Sequence, residues 1–116
     1  MSGEKNPLAG STTLLVLSLL AQKDMYCYQM IAELEERMDR TFSMREGTLY
    51  PILHGLENQG ALKSYNKEAP SGKTRKYYHI TKKGLSLLKE KREEWTTFTE
   101  KVNAVIASAG PLPDLA

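Results

Sequence analysis

The sequence predicts a mainly α protein carrying a small β-hairpin. Four stretches repeat apolar residues at helical spacing. Between the third and fourth lies a segment of alternating residues broken by a Pro/Gly turn. The chain has 116 residues, 41% hydrophobic and 26% charged, which suits one globular domain with a modest core.

The first helix is expected over residues 11–23, with Ser11 as its N-cap. Leu14, Leu15, Val16, Leu17, Leu19 and Leu20 wrap nearly all round it, so it should be buried on more than one side. Asp24 ends it and is placed to cap the next helix. The second helix, residues 25–40, carries Tyr28, Ile31, Leu34 and Met38 as one stripe, with Glu33, Glu36 and Arg37 outward. Ser43 and Glu46 fit a capping box opening a third helix that runs to about Asn58. Leu49, Ile52, Leu53 and Leu56 form its inner stripe, and Gly60 ends it. Pro51 is awkward inside this helix because its ring would press on the carbonyl of Gly47, so the helix either starts later than Ser43 suggests or bends there.

Residues 61–66 and 73–80 read as the two strands of the hairpin. Alternation puts Tyr78 and Ile80 on the inner face, and Lys73, Arg75, Tyr77 and His79 on the outer one. Thr81 caps a last helix over residues 82–108, about 40 Å long at 1.5 Å per residue. Leu88, Trp95 and Val102 recur every seven residues, with Phe98 and Val105 three ahead, as in an a/d seam that Lys91 interrupts.

Charge is distributed unevenly. Residues 63–92 hold ten Lys/Arg against two acids, whereas residues 24–46 hold six acids and three bases, on a chain of net charge +2. A basic block on a near-neutral chain is either a solvated face or a surface for a polyanion. The single cysteine, Cys27, excludes an intramolecular disulfide framework and a multi-cysteine zinc site, and reads as a small packing residue of a reducing cytoplasm. The apolar run 14–21 is too short to span a bilayer, and no basic segment marks it as a signal peptide, so the expected location is cytoplasmic. No HExxH pair, GxSxG elbow or Gly-rich phosphate loop is present, so no enzyme, metal or cofactor is expected.

Helix, helix, helix, hairpin, helix is the order of a winged helix-turn-helix with one long C-terminal dimerisation helix. The division expected is a leader at 1–10, a DNA-binding unit at 11–81, a dimerisation helix at 82–108 and a disordered tail at 109–116. In this arrangement the third helix enters a major groove and the wing lies along the backbone. Its tip is basic, with Lys67, Lys73, Arg75 and Lys76, as phosphate contact requires. Ser43, Arg45 and Thr48 lie at the end of the third helix that meets base edges, Ser43 chiefly as a cap; His54 is one turn beyond Tyr50.

Gly47-Thr48-Leu49-Tyr50-Pro51 with Leu53, Leu56, Glu57 and Gly60 resembles the recognition-helix signature of PadR-like transcriptional regulators. The segment from Ser71 through Lys73, Arg75, Lys76 and Tyr77 to Thr81 and Gly84 is similar to their wing motif. Tyr26-Cys27-Tyr28-Gln29 is similar to their second-helix motif, with Cys27 where the family usually has Gly; Gly55 stands where an Arg is common. The resemblance covers residues 9–107 and is to the short subgroup with a single C-terminal helix.

The resemblance implies a homodimeric repressor of an inverted-repeat operator on double-stranded DNA. It implies a phosphate contact from Tyr50, which otherwise reads as a core tyrosine, and a cavity for a flat aromatic or phenolic effector beside Trp95, which otherwise reads as dimer packing with Leu88, Phe98, Val102 and Val105. The rival reading is a winged-helix module that docks protein without operator DNA.

Overall fold

The computed structural model describes residues 7–40 and 43–114. Helix α1 (Pro7–Gln22) leads into a two-residue strand β1 (Met25–Tyr26), then α2 (Cys27–Arg37) and α3 (Glu46–Asn58). The wing strands β2 (Leu62–Glu68) and β3 (Thr74–Ile80) follow, then α4 (Lys82–Ala107). The result is four helices around a three-stranded antiparallel sheet of order β1-β3-β2, a winged helix-turn-helix with a long last helix.

Several boundaries differ from the sequence reading. Helix α1 starts at Pro7, so Ser11 lies inside it rather than capping it, and the expected leader 1–10 is helical from residue 7; residues 1–6 fall outside the described set. A proline suits this start, because its fixed φ is helical and its missing N–H has no partner there anyway. Asp24 caps nothing. Strand β1 intervenes, and α2 opens on Tyr26 without a side-chain cap. Helix α2 ends at Arg37, after which Asp39 and Arg40 take left-handed φ of 50° and 61°.

The capping box at Ser43 does not form. Arg45 occupies the N-cap of α3, and the Ser43 hydroxyl donates to Glu35 Oε2 at 3.4 Å instead. Pro51 is accommodated inside α3. Of the tail expected at 109–116, residues 109–114 are in neither helix nor strand, and 115–116 lie outside the described residues.

The two local signals nearest the wing hold. Gly60, at φ +82°, ends α3 in a Schellman turn: its N–H bonds to the Glu57 carbonyl at 3.0 Å, and the Ala61 N–H to the Leu56 carbonyl at 2.9 Å. The Thr81 hydroxyl accepts from the Gly84 N–H at 3.1 Å and donates to the Gly60 carbonyl at 2.7 Å, tying the end of α3 to the start of α4.

The core gathers Val16, Leu17 and Leu20 from α1, Met30 and Leu34 from α2, Leu49 and Leu53 from α3, and Leu62, Tyr78 and Ile80 from the sheet. Tyr28, expected in the α2 stripe, is 53% exposed; Cys27, Met30, Ile31 and Leu34 form the buried stripe. Leu88, expected in the seam of the last helix, is only 4% exposed and belongs to this core. Helix α4 therefore packs through its first two turns, against α1 and β3, and then leaves the body. The radius of gyration is 17.4 Å, against about 13 Å for a compact domain of this length. The molecule measures 57 × 32 × 31 Å, the long axis reflecting the projecting helix.

Candidate nucleic-acid interface

Helix α3 buries Leu49, Leu53 and Leu56, which turns Arg45, Thr48, Pro51 and His54 to solvent. Tyr50 is half-buried at the edge of this face, its ring 5.9 Å from that of His54. Burial raises the Tyr50 phenol above its usual range, helped by Cys27 and Glu46 and opposed by the charge of Arg75. It stays a neutral phenol at pH 7, able to donate to a phosphate oxygen. Arg45, Thr48 and His54 are thus exposed on α3 and its cap, Tyr50 is half-buried beside His54, and Ser43 is exposed just ahead of the helix.

The wing folds because residues 69–73 make a tight turn. The Ala69 N–H bonds to the Lys73 carbonyl and the Gly72 N–H to the Ala69 carbonyl, both at 2.8 Å, with Gly72 at φ +91°. Register assigns the faces: Lys63 faces His79, Tyr65 faces Tyr77, and Lys67 faces Arg75 on the outer side. Leu62 with Ile80, and Ser64 with Tyr78, share the inner side.

The expected wing residues separate into distinct environments. Lys73 is exposed in the turn. The Arg75 guanidinium lies over two rings, Tyr26 at 5.4 Å and Tyr28 at 5.8 Å, and its Nε is buried without a partner. Lys76 is on the inner side, 3.7 Å from the Glu57 carboxylate and 5.5 Å from the Tyr78 ring, so Glu57 competes for its charge. Tyr77 is on the outer face as alternation requires, yet only 6% exposed. Tyr65 stacks on it at 5.8 Å, Tyr26 meets it edge-on at 5.3 Å, and Lys67 sits 5.1 Å above its ring. Its ring supports the outer face.

The sequence reading missed Asp24, Tyr26 and Tyr28 as parts of this surface. Asp24 accepts from the Tyr65 hydroxyl at 2.5 Å and lies 2.9 Å from His79 Nδ1. Desolvation pushes its carboxyl upward, but the hydrogen bonds of Tyr65 and His79, with the charges of His79 and Lys67, outweigh that and hold it below the ordinary carboxylate value. The signal available in sequence was a Tyr-X-Tyr pair beginning two residues after the acid.

Cys27 is buried, and burial followed by the charge of Glu46 pushes its thiol up to about 11. That is the opposite of a reactive cysteine. On α4, Trp95 is 41% and Phe98 49% exposed, their rings 6.0 Å apart, with Val102 and Val105 further along the same stripe. Leu85 and Ile106 are also exposed apolar residues of this helix.

An α3 face bearing Arg45, Thr48 and Tyr50, flanked by a basic wing, defines the class: a winged-helix transcription regulator. The chain belongs to the PadR-like family of transcriptional regulators, whose family pattern matches residues 16–90. It is 31% identical over 96 residues to an uncharacterised protein of Lysinibacillus sphaericus, covering 83% of this chain and 88% of that one. It is 27% identical to the transcriptional regulator YqjI of Escherichia coli, with 82% of this chain aligned to 44% of that longer protein.

Among solved structures, a transcriptional regulator from Clostridium thermocellum superposes with a TM-score of 0.76 at 33% identity, over 84% of this chain and 94% of that one. A PadR-like transcriptional regulator from Bacillus cereus superposes at 0.75 with 29% identity, over 85% and 94%. Regulators of this family bind DNA. No helix among the described residues is long and apolar enough to cross a membrane.

Proposed function

We propose that this protein is a cytoplasmic homodimeric repressor that binds an inverted-repeat operator and is released by a small effector. The observation that carries the reading is the unpartnered apolar stripe of α4: Trp95, Phe98, Val102 and Val105 are exposed on a helix that has left the body. Exposed apolar side chains at heptad spacing are stabilised by pairing with a second copy. A twofold pair of chains carries two α3 helices and two wings, which matches an inverted repeat.

Arg45 and Thr48 are assigned to base edges or adjacent phosphates, and Tyr50 and His54 to the backbone beside them. Lys73 and Arg75 contact phosphates, with Ser43 at the margin and Lys76 reaching a phosphate beside its Glu57 contact. The test is the salt dependence of DNA binding. Replacing Lys73, Arg75 and Lys76 with Ala should weaken binding to all sequences alike and flatten the slope of log K against log salt. An unchanged slope would show that the wing does not touch phosphates, and salt-insensitive association with a protein would favour the docking module.

The effector reading rests on Trp95, the single tryptophan of the chain. Its exposed ring suits a flat aromatic or phenolic molecule held between two copies, an aromatic contact worth about 0.5–1.5 kcal/mol beyond area burial. Titrating planar dyes and phenolic acids should quench its emission saturably. A ligand releases DNA only by binding the DNA-free geometry better. If nothing in the panel changes the emission and Trp95→Ala merely weakens the dimer, Trp95 is a packing residue.

A further inference from the structure

The wing is gripped by carboxylates from both sides. On the outer face Asp24, in the link between α1 and β1, accepts from Tyr65 of β2 at 2.5 Å and meets His79 of β3 at 2.9 Å. On the inner face Glu57, in the last turn of α3, accepts from the Ser64 hydroxyl at 2.6 Å and lies 3.7 Å from Lys76 Nζ. Ser64 and Tyr65 are neighbours on β2, so the two carboxylates hold consecutive residues from opposite faces of one strand.

β2 is at the edge of the sheet, and between Leu62 and the buried Ala69 that follows the strand every residue is at least partly exposed, so few packing contacts fix its angle besides the stacking of Tyr65 on Tyr77. β1 is two residues long and pairs with β3 alone. From Ser64 to the turn the wing is a lever of about 17 Å, so a rotation of ~10° at its root moves the tip by ~3 Å, about the length of a hydrogen bond.

We infer that Asp24 and Glu57 are positioning residues that clamp the root of the wing and set the distance between its basic tip and α3, so that both reach one duplex together. Glu57 belongs to α3 itself, so the clamp ties the strand directly to the helix that meets the groove. Asp24 adds the reference to α1 and closes the opposite face. Neither carboxylate touches DNA in this arrangement; each would repel phosphate if it did.

The inference rests on the DNA-binding reading, and its test separates the two. The full-length protein and its Asp24→Ala, Tyr65→Phe and Ser64→Ala variants, the last removing the hydrogen bond to Glu57 and leaving that carboxylate in place, are titrated against one duplex over a range of salt, with thermal midpoints and amide exchange of the strand residues measured in parallel. The expected result is a loss of about tenfold or more in affinity and a flatter salt slope for each variant, as wing phosphates drop out of reach. Adding Lys73→Ala to Asp24→Ala should cost little more, because contacts that act as a unit are not additive. Tyr65→Phe should show part of the Asp24→Ala loss, since it removes one of the two hydrogen bonds of Asp24 and leaves the carboxylate and its His79 contact in place.

An unchanged salt slope in a folded variant, or fully additive losses with Lys73→Ala, would overturn the clamp. Losses that simply track the thermal midpoint would do the same. If the unaltered protein binds no duplex, the DNA reading has failed, and exchange then decides the clamp alone: faster exchange along β2 in Asp24→Ala supports it, and unchanged exchange contradicts it.

Discussion

A Cβ on Gly84 would overlap the Ala61 carbonyl oxygen and the Ile80 side chain, so α4 enters the body only because this residue has none. The nearest of these atoms, the Ala61 carbonyl oxygen, is backbone, which cannot swing away as a side-chain tip could. Gly84→Ala should cost about 1–3 kcal/mol through overpacking, read as a lowered denaturant midpoint, although alanine is the better helix former. A variant as stable as the parent would show that α4 can shift outward freely. Titration offers a second check at this scale. Burial lifts Cys27 to about 11 from 9.0. The hydrogen bond to Asp24 first, then burial, lifts Tyr65 to about 12 from 10.0, and burial does the same for Tyr78. Above pH 9 the unfolded chain loses protons that the folded chain keeps, so stability intact below pH 9 falls as pH rises through 11 and 12. Cys27→Ala should make the denaturant midpoint fall less steeply between pH 9 and 11; an identical slope would contradict the buried-thiol account. Asp24 acts in the other sense, contributing stability above its ordinary value of 3.8 that is lost as the pH falls further.

Whole elements show why some features were legible in the sequence and others were not. Gly60 and Thr81 announced the end of α3 and the start of α4 because a cap is satisfied by neighbours within a few residues. Ser43 carried the same kind of signal and failed, since its hydroxyl meets Glu35 on α2, a tertiary partner that spacing does not reveal. Strand β1 was missed because two residues have no periodicity; it exists through pairing with Tyr77 and Tyr78, about fifty residues on. Alternation placed Tyr77 on the correct face, but the stacking of Tyr26 and Tyr65 that buries it comes from two other strands. The heptad of α4 placed Leu88 and Trp95 alike, and packing within the body separates them: Leu88 is in the core, Trp95 beyond it. That difference is testable. Leu88→Ala should lower the stability of the chain by about 2–5 kcal/mol. Phe98→Glu or Val105→Glu, at exposed positions, should leave the fold intact and abolish self-association in sedimentation. A Phe98→Glu chain that still dimerises would place the interface elsewhere.

At the scale of the whole molecule, the body holds the helix-turn-helix and the wing, and the projecting helix carries the exposed apolar stripe through which we propose that two bodies join. The elongated shape follows from that division, because the second half of α4 adds length without adding core. The winged-helix architecture was readable from the order of elements; the clamp at the wing root and the sharing of α4 between core and stripe were not, since both are set by contacts between distant segments. The central claim is that two chains, joined through α4, bind one duplex through phosphate-contacting wings. Sedimentation of the protein with a fluorescent duplex from the region upstream of its own gene, at two salt concentrations, tests it most directly. The account predicts two chains per duplex, dissociating steeply as salt rises, and a Phe98→Glu chain that no longer forms this complex. One chain per duplex, or a complex indifferent to salt, would contradict it.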